Sequence, residues 1–132
     1  MSIRIEINTP LSTESIIKVF ISSGIRRPVL DPPRIREMFD KSNLVVSAWN
    51  GNKLIGIGRA LTDFSYCCYV SDLAVEKSFQ KQGIGKLILK TLQSQAGPRC
   101  VFFLHAAPEA RNYYPKQGFL AWEDCFHIPR GF

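Results

Sequence analysis

The stretch VEKSFQKQGIGKLILKTLQ, Val75 to Gln93, limits what this chain can fold into more than any other. Two glycines, Gly83 and Gly85, stand between a cationic polar run and an apolar pattern. Ile84, Leu87, Ile88, Thr91 and Leu92 recur at helical spacing, which predicts a helix with one face packed on a sheet. The preceding YCCYVSDLAV, Tyr66 to Val75, is rich in aromatic and β-branched residues and predicts a strand. The later CVFFLHA is a short continuous apolar run, as expected of a buried strand.

The other elements follow from local signals. Ile3, Ile5 and Ile7 alternate with polar residues, predicting a first strand over Ile3–Asn8. Ser12 reads as the N-cap of a helix that fades near Ser22–Gly24, with Leu11 stapled to Ile16. Asp31 and Pro32 start a second helix, whose buried stripe is Ile35, Met38 and Phe39. Between these helices lies the loop GIRRPVL. NLVVSAWNGNKLIGIGRALTDF reads as a hairpin turning at Asn50-Gly51. PEARNYY predicts a short helix, and GFLAWEDCFHI one or two closing strands. Strands first, then strand–helix–strand–helix, predicts an α+β fold on one mixed sheet. At 132 residues the chain fits one domain, residues 1–132.

An apolar share of 45% supports a core at this length, and 21% charged residues argue against disorder. No apolar run approaches the roughly 20 residues that span a bilayer, and the N-terminus lacks the continuous apolar core of a signal peptide. A cytoplasmic protein with no membrane partner is the expectation. Cys67, Cys68, Cys100 and Cys125 form no C-x-x-C pair, and there are two histidines, His105 and His127. The pattern predicts reduced thiols and no metal site. The net charge is +6, with Lys77, Lys81, Lys86 and Lys90 around the glycines. There is no basic tail or recognition helix, so no nucleic-acid partner is expected.

The glycine loop fails the common phosphate motifs. In a P-loop, Gly85-Lys86 would be followed by Ser or Thr, and Leu87 stands there. In a dinucleotide fingerprint the third glycine would replace Ile88. What remains is Gln80-Lys81-Gln82-Gly83-Ile84-Gly85 opening a helix after a strand. The first amides of a helix lack internal partners and suit an anion, and glycine lets a phosphate approach them.

DLAVEKSFQKQGIGKLIL resembles the acetyl-CoA-binding motif of the GNAT N-acetyltransferase superfamily, [QR]-x-x-G-x-[GA]. YYPKQGF resembles that family's Y-x-x-x-G-F. The resemblance implies a splayed central sheet flanked by helices, and direct attack of an amine on the thioester of acetyl-CoA. It implies that Gln80, Lys81, Gln82, Gly83, Ile84, Gly85 and Lys86 bind the diphosphate. Leu73, Ala74 and Val75 would line the pantetheine arm, with the Leu73 N–H polarising the thioester carbonyl. Tyr114 matches the tyrosine that protonates the leaving thiolate, and Tyr113 is the alternative if the register slips by one. Many relatives dimerise, so a homodimer is an open expectation.

Three positions depart from the family or stay open. Pro115 follows Tyr114 and is expected to end or kink the helix there. Ala107 stands where many members carry an asparagine against the cofactor. The general base has no clear bearer: Tyr69 holds the position commonly cited, and Asp72 is the nearby carboxylate singled out, with Asp63 and Glu76 less well placed. Water alone can carry that proton. The acceptor is an amine of a small molecule or protein. Arg26 and Arg27 hint at an anionic substrate or a carboxylate handle on it, and Phe64, Tyr66 and Trp122 either line an apolar acceptor pocket or belong to the core. A non-catalytic acyl-CoA-binding regulatory module of the same fold is the alternative.

Overall fold

A computed structural model describes residues 2–131. Five strands form one sheet in the order β1-β2-β3-β4-β5: β1 (Arg4–Ile7), β2 (Leu44–Asn50), β3 (Lys53–Thr62), β4 (Cys67–Val75) and β5 (Val101–Leu104). The first three pairings are antiparallel and β4–β5 is parallel, so the sheet is mixed as expected. The β2–β3 hairpin closes through Gly51 and Asn52, between the paired residues Asn50 and Lys53. The parallel β4–β5 pair is joined by α3 (Ile84–Ala96).

Helices cover both faces. On one side α1 (Thr13–Ser23) and α2 (Pro32–Asp40) bury Ile16, Val19, Phe20, Ile35 and Phe39 against Val45, Ile57 and Ala74. Their caps are those the sequence names. The Ser12 side chain accepts from Ser15 N–H, and that of Asp31 from Arg34 N–H. On the other side α3 packs on Leu44, Val46, Ala48, Ile55, Cys68 and Val70. Its buried stripe is Ile84, Ile88, Leu89, Leu92 and Ala96. Leu87, expected inside, is 44% exposed. The helix rests on its i, i+4 row, which turns Leu89 in and Leu87 to the flank.

The close approach of α3 depends on glycine in β3. A Cβ on Gly58 would lie 2.4 Å from Ile88 Cγ2 and 2.8 Å from Leu92 Cδ1. Cγ2 is fixed to the branched Cβ of Ile88, so it cannot swing away. Gly58→Ala is expected to destabilise the fold by about 1–3 kcal/mol through overpacking. A urea midpoint shows it; an unchanged midpoint would mean that α3 can lift freely.

Three expectations at the C-terminal end are corrected. CVFFLHA forms β5, but as an edge strand: Val101 is exposed and Phe102 to Leu104 are half-buried. GFLAWEDCFHI forms no strand among the described residues, and Leu120 and Ile128 are almost fully exposed. Pro115 does not end the last helix. It sits inside the single turn of α4 (Tyr113–Lys116), where a first-turn residue has no intrahelical donor bond to lose.

Candidate active site

The pairing of β4 and β5 stops at Val70 and Leu104, while β4 runs on to Val75. From Ser71 onward β4 is paired with β3 alone, so the sheet splays there. Glu76 N–H donates to Ile55 O at 2.8 Å. By the alternation of an antiparallel ladder, Ala74 then bonds to β3, and Leu73 and Val75 turn their N–H and C=O toward the gap. Val75 O accepts from Gln80 Nε2 at 2.9 Å, which ties the glycine loop to the end of the strand.

The loop ends at the start of α3. Gly83 is the N-cap, with φ +83° and no side-chain hydrogen bond, unlike Ser12 and Asp31 on the first two helices. The first intrahelical bond runs from Leu87 N–H to Gly83 O at 3.0 Å, so the Ile84, Gly85 and Lys86 amides precede it. A Cβ on Gly83 would meet nothing within 4 Å, so the space beside this N-cap is open. Lys81 and Lys86 are exposed beside it.

Helix α4 closes the far side. A Cβ on Gly85 would lie 3.7 Å from the Tyr113 hydroxyl, 3.9 Å from Val75 Cγ2 and 4.0 Å from Leu73 Cδ2. Tyr113 therefore reaches the helix start and the splayed strand together. The Tyr114 ring stands edge-on to Tyr113 and to Phe119, at 5.2 and 5.5 Å between centroids. Burial pushes the Tyr114 phenol above its ordinary value, and Tyr113 adds to the shift. Burial raises Tyr113 too. Both therefore carry their protons at neutral pH. Ala107, at the family's asparagine position, is exposed and offers no side-chain donor.

Asp72 lies beside the gap in an unexpected setting. Its side chain is fully buried, and its two oxygens accept from Arg27 Nε and Arg59 Nε. Arg59 also donates to Ser71 Oγ at 2.7 Å and lies over the Phe39 ring. Neither arginine was linked to Asp72 from sequence. A polar residue facing inward on β3, Arg59 amid GIGRAL, was the available signal.

The register explains why Asp72 turns this way. Arg59 pairs with Asp72 and Ala60 with Val70, so Ser71 is a bulge in β4. Before it Cys68 and Val70 face α3; after it Leu73 and Val75 do, and Ala74 faces α1 and α2. Tyr69 thus shares the α1–α2 face with Asp72, and its ring meets Phe103, which meets Trp122, both at 5.3 Å. His105 is exposed beside His127. Burial raises the Cys68 thiol, which leaves it a poor nucleophile.

A cavity of about 680 Å³ lies between α1 and the β2–β3 turn, with Glu76 in its lining. Its lysines, Lys18 and Lys53, are exposed and lie 3.3 and 3.9 Å from Glu14 and Glu76.

The acetyltransferase (GNAT) domain profile matches residues 13–127. The chain belongs to the GNAT acetyltransferase family. It is thereby an acyltransferase. It is similar to an uncharacterized N-acetyltransferase, ycf52, of Gracilaria tenuistipitata var. liui, 27% identical over 94% of this chain and 70% of the relative. It is also similar to the chloroplastic GCN5-related N-acetyltransferase 3 of Arabidopsis thaliana, 28% identical over 80% of this chain and 45% of that one. Among solved structures, a Staphylococcus aureus protein of unknown function superposes with TM-score 0.84 at 22% identity, over 99% of this chain and 100% of its own. Aminoglycoside N-acetyltransferase AAC(6')-Iy, solved with CoA, superposes with TM-score 0.74 at 15% identity, over 99% and 96%. These likenesses carry the GNAT fold, and the splayed mixed sheet agrees with it.

Proposed function

We propose that this GNAT domain transfers an acetyl group from acetyl-CoA to a primary amine of a small molecule or protein, by direct attack. The observation that carries the reading is one juxtaposition. The uncapped start of α3 and the unpaired edge of β4 meet at Gly85, and Gln80 joins them. An open, cationic helix start fits a diphosphate, and a strand edge with free amides fits an amide-bearing arm. The neighbour solved with CoA supports that cosubstrate.

When bound, acetyl-CoA supplies the thioester that the amine attacks. The chain's own groups then have separate tasks. The Ile84, Gly85 and Lys86 amides hold the diphosphate, with Lys81 and Lys86 adding charge and the Gln80–Gly83 loop shaping the approach. The Leu73 N–H, pointing into the gap, polarises the carbonyl. Ala74 anchors the strand to β3, and Leu73 and Val75 offer backbone partners to the arm. Tyr114, at the motif position and protonated at neutral pH, donates to the leaving sulfur. The Tyr113 hydroxyl, beside Gly85 at the start of α3, would serve binding. Asp72, with both oxygens engaged, positions the strand, and the proton of the amine leaves through water. The Arabidopsis relative is chloroplastic, so a plastid joins the cytoplasm as a setting for this activity.

The test is thiol release from acetyl-CoA with a panel of amines, for wild type and Tyr114→Phe. The variant is expected to lose at least about tenfold in rate, roughly 1.4 kcal/mol of transition-state stabilisation. Equal rates would take the acid's role from Tyr114. Binding of acetyl-CoA with no amine turned over would instead favour the non-catalytic module.

A further inference from the structure

The cavity between α1 and the β2–β3 turn has no task in the transfer reaction. Its volume, about 680 Å³, is that of a small-molecule site. Val19 and Leu54, both buried, give it an apolar floor. The polar groups around that floor are mostly donors. Ser22 Oγ accepts from Lys77 N–H at 3.0 Å, and Ser15 Oγ accepts from Ser12 Oγ at 2.9 Å. Each hydroxyl therefore has its own proton left to give. The side chains of Asn50 and Asn52 make no hydrogen bond among the described residues. Lys53 Nζ lies 3.9 Å from Glu76 Oε1, beyond hydrogen-bond length. Lys18 Nζ is 3.3 Å from Glu14 in an exposed helical pair, which holds it weakly. Against these donors stands the Glu76 carboxylate, with one oxygen already taken by the Ser78 hydroxyl.

We propose that this cavity is a second ligand site, for a small organic acid. Unspent donors call for an acceptor-rich, anionic group, and a carboxylate supplies it. The apolar floor favours a carbon chain behind that group over inorganic phosphate. None of the residues from Gln80 to Lys86 lines the cavity, so the site is distinct from the start of α3. It does touch the root of the glycine loop. Ser22 holds the Lys77 amide, and Lys53 lies over the Phe79 ring at 6.0 Å.

The test titrates isotope-labelled protein with the dicarboxylate glutarate, and separately with inorganic phosphate, at constant ionic strength. Amide chemical shifts report where each probe binds. In wild type, glutarate is expected to shift the Asn52, Lys53 and Lys77 amides saturably. Its Kd there is expected to lie at least about tenfold below that of phosphate, through the methylenes it buries. Lys53→Gln, a change at an exposed side chain, is expected to raise that Kd at least about tenfold. Gly83→Glu, which closes the proposed diphosphate site, is expected to leave it within about threefold. An anion seated on α3 behaves otherwise: it shifts Ile84 to Lys86 and is lost in Gly83→Glu. Shifts confined to those three amides, shifts that do not saturate, equal affinity for phosphate, or a Kd indifferent to Lys53→Gln would overturn the proposal. The transfer reading is untouched by any of these results, since it stands on thiol release from acetyl-CoA.

Discussion

Gly83→Glu is expected to weaken acetyl-CoA binding by at least about 100-fold while leaving the domain folded. A Cβ at this position meets no atom within 4 Å, so the side chain leaves the backbone without a clash. Its cost to the fold is the backbone strain of a Cβ at φ +83°, about 1–2 kcal/mol. Its cost to binding is larger. A carboxylate over the start of α3 would occupy the space proposed for the diphosphate and repel its charge. Hydrogen bonds to a charged group contribute about 1.5–3 kcal/mol each, so losing two reaches the stated factor. Gly83→Ala carries the same strain without the charge and separates the two effects. Calorimetric titration with acetyl-CoA measures both variants. An unchanged affinity for the glutamate variant would remove this helix start from the site.

Much of the fold was legible because its signals are local. Ser12 and Asp31 cap the helices they were expected to cap, and the α2 residues Ile35 and Phe39 are buried. The glycine loop, the strand before it and the helix after it lie where the spacing put them. The errors came where tertiary contacts decide. Leu87 and Leu89 differ in burial by the angle at which α3 crosses the sheet, an angle set by Gly56 and Gly58 two strands away in sequence. The apolar run at β5 looks the same in a central and in an edge strand, and only the absence of a neighbour beyond β5 among the described residues separates them.

The site divides along the same line. Motif residues close in sequence, Gln80 to Lys86 and Tyr113 to Phe119, could be proposed from their resemblance to the family's motifs. The proximity of Tyr113 to Gly85 joins α4 to the start of α3 across β5 in the chain, and no periodicity encodes it. The setting of Asp72 was hidden for two reasons. Arg27 and Arg59 are remote from it in sequence, and the Ser71 bulge reverses which residues of β4 face α1 and α2. Simple alternation through YVSDLAV places Asp72 on the face of Val70, inside an apolar core where a carboxylate would find no partner.

Asp72→Ala tests that setting most severely. The change leaves Arg59, 8% exposed, without its carboxylate. Removing one partner of a buried ion pair costs about 3–5 kcal/mol, because the other charge stays behind unpaired. Arg27, 26% exposed, can turn to water and adds less. The result expected is a large fall in thermal or urea midpoint, with the Ser71 bulge loosened. Asp72→Asn keeps the shape and one acceptor oxygen and should lose less. The two roles open to Asp72 separate in the pH profile. A general base would leave an acid limb in wild-type turnover that Asp72→Asn erases, with stability little changed. A carboxylate held by two guanidiniums predicts the reverse: stability falls, and the acid limb remains where the amine's own deprotonation puts it. If Asp72→Ala kept its midpoint and lost turnover, the clamp would be incidental and Asp72 would regain the base's role.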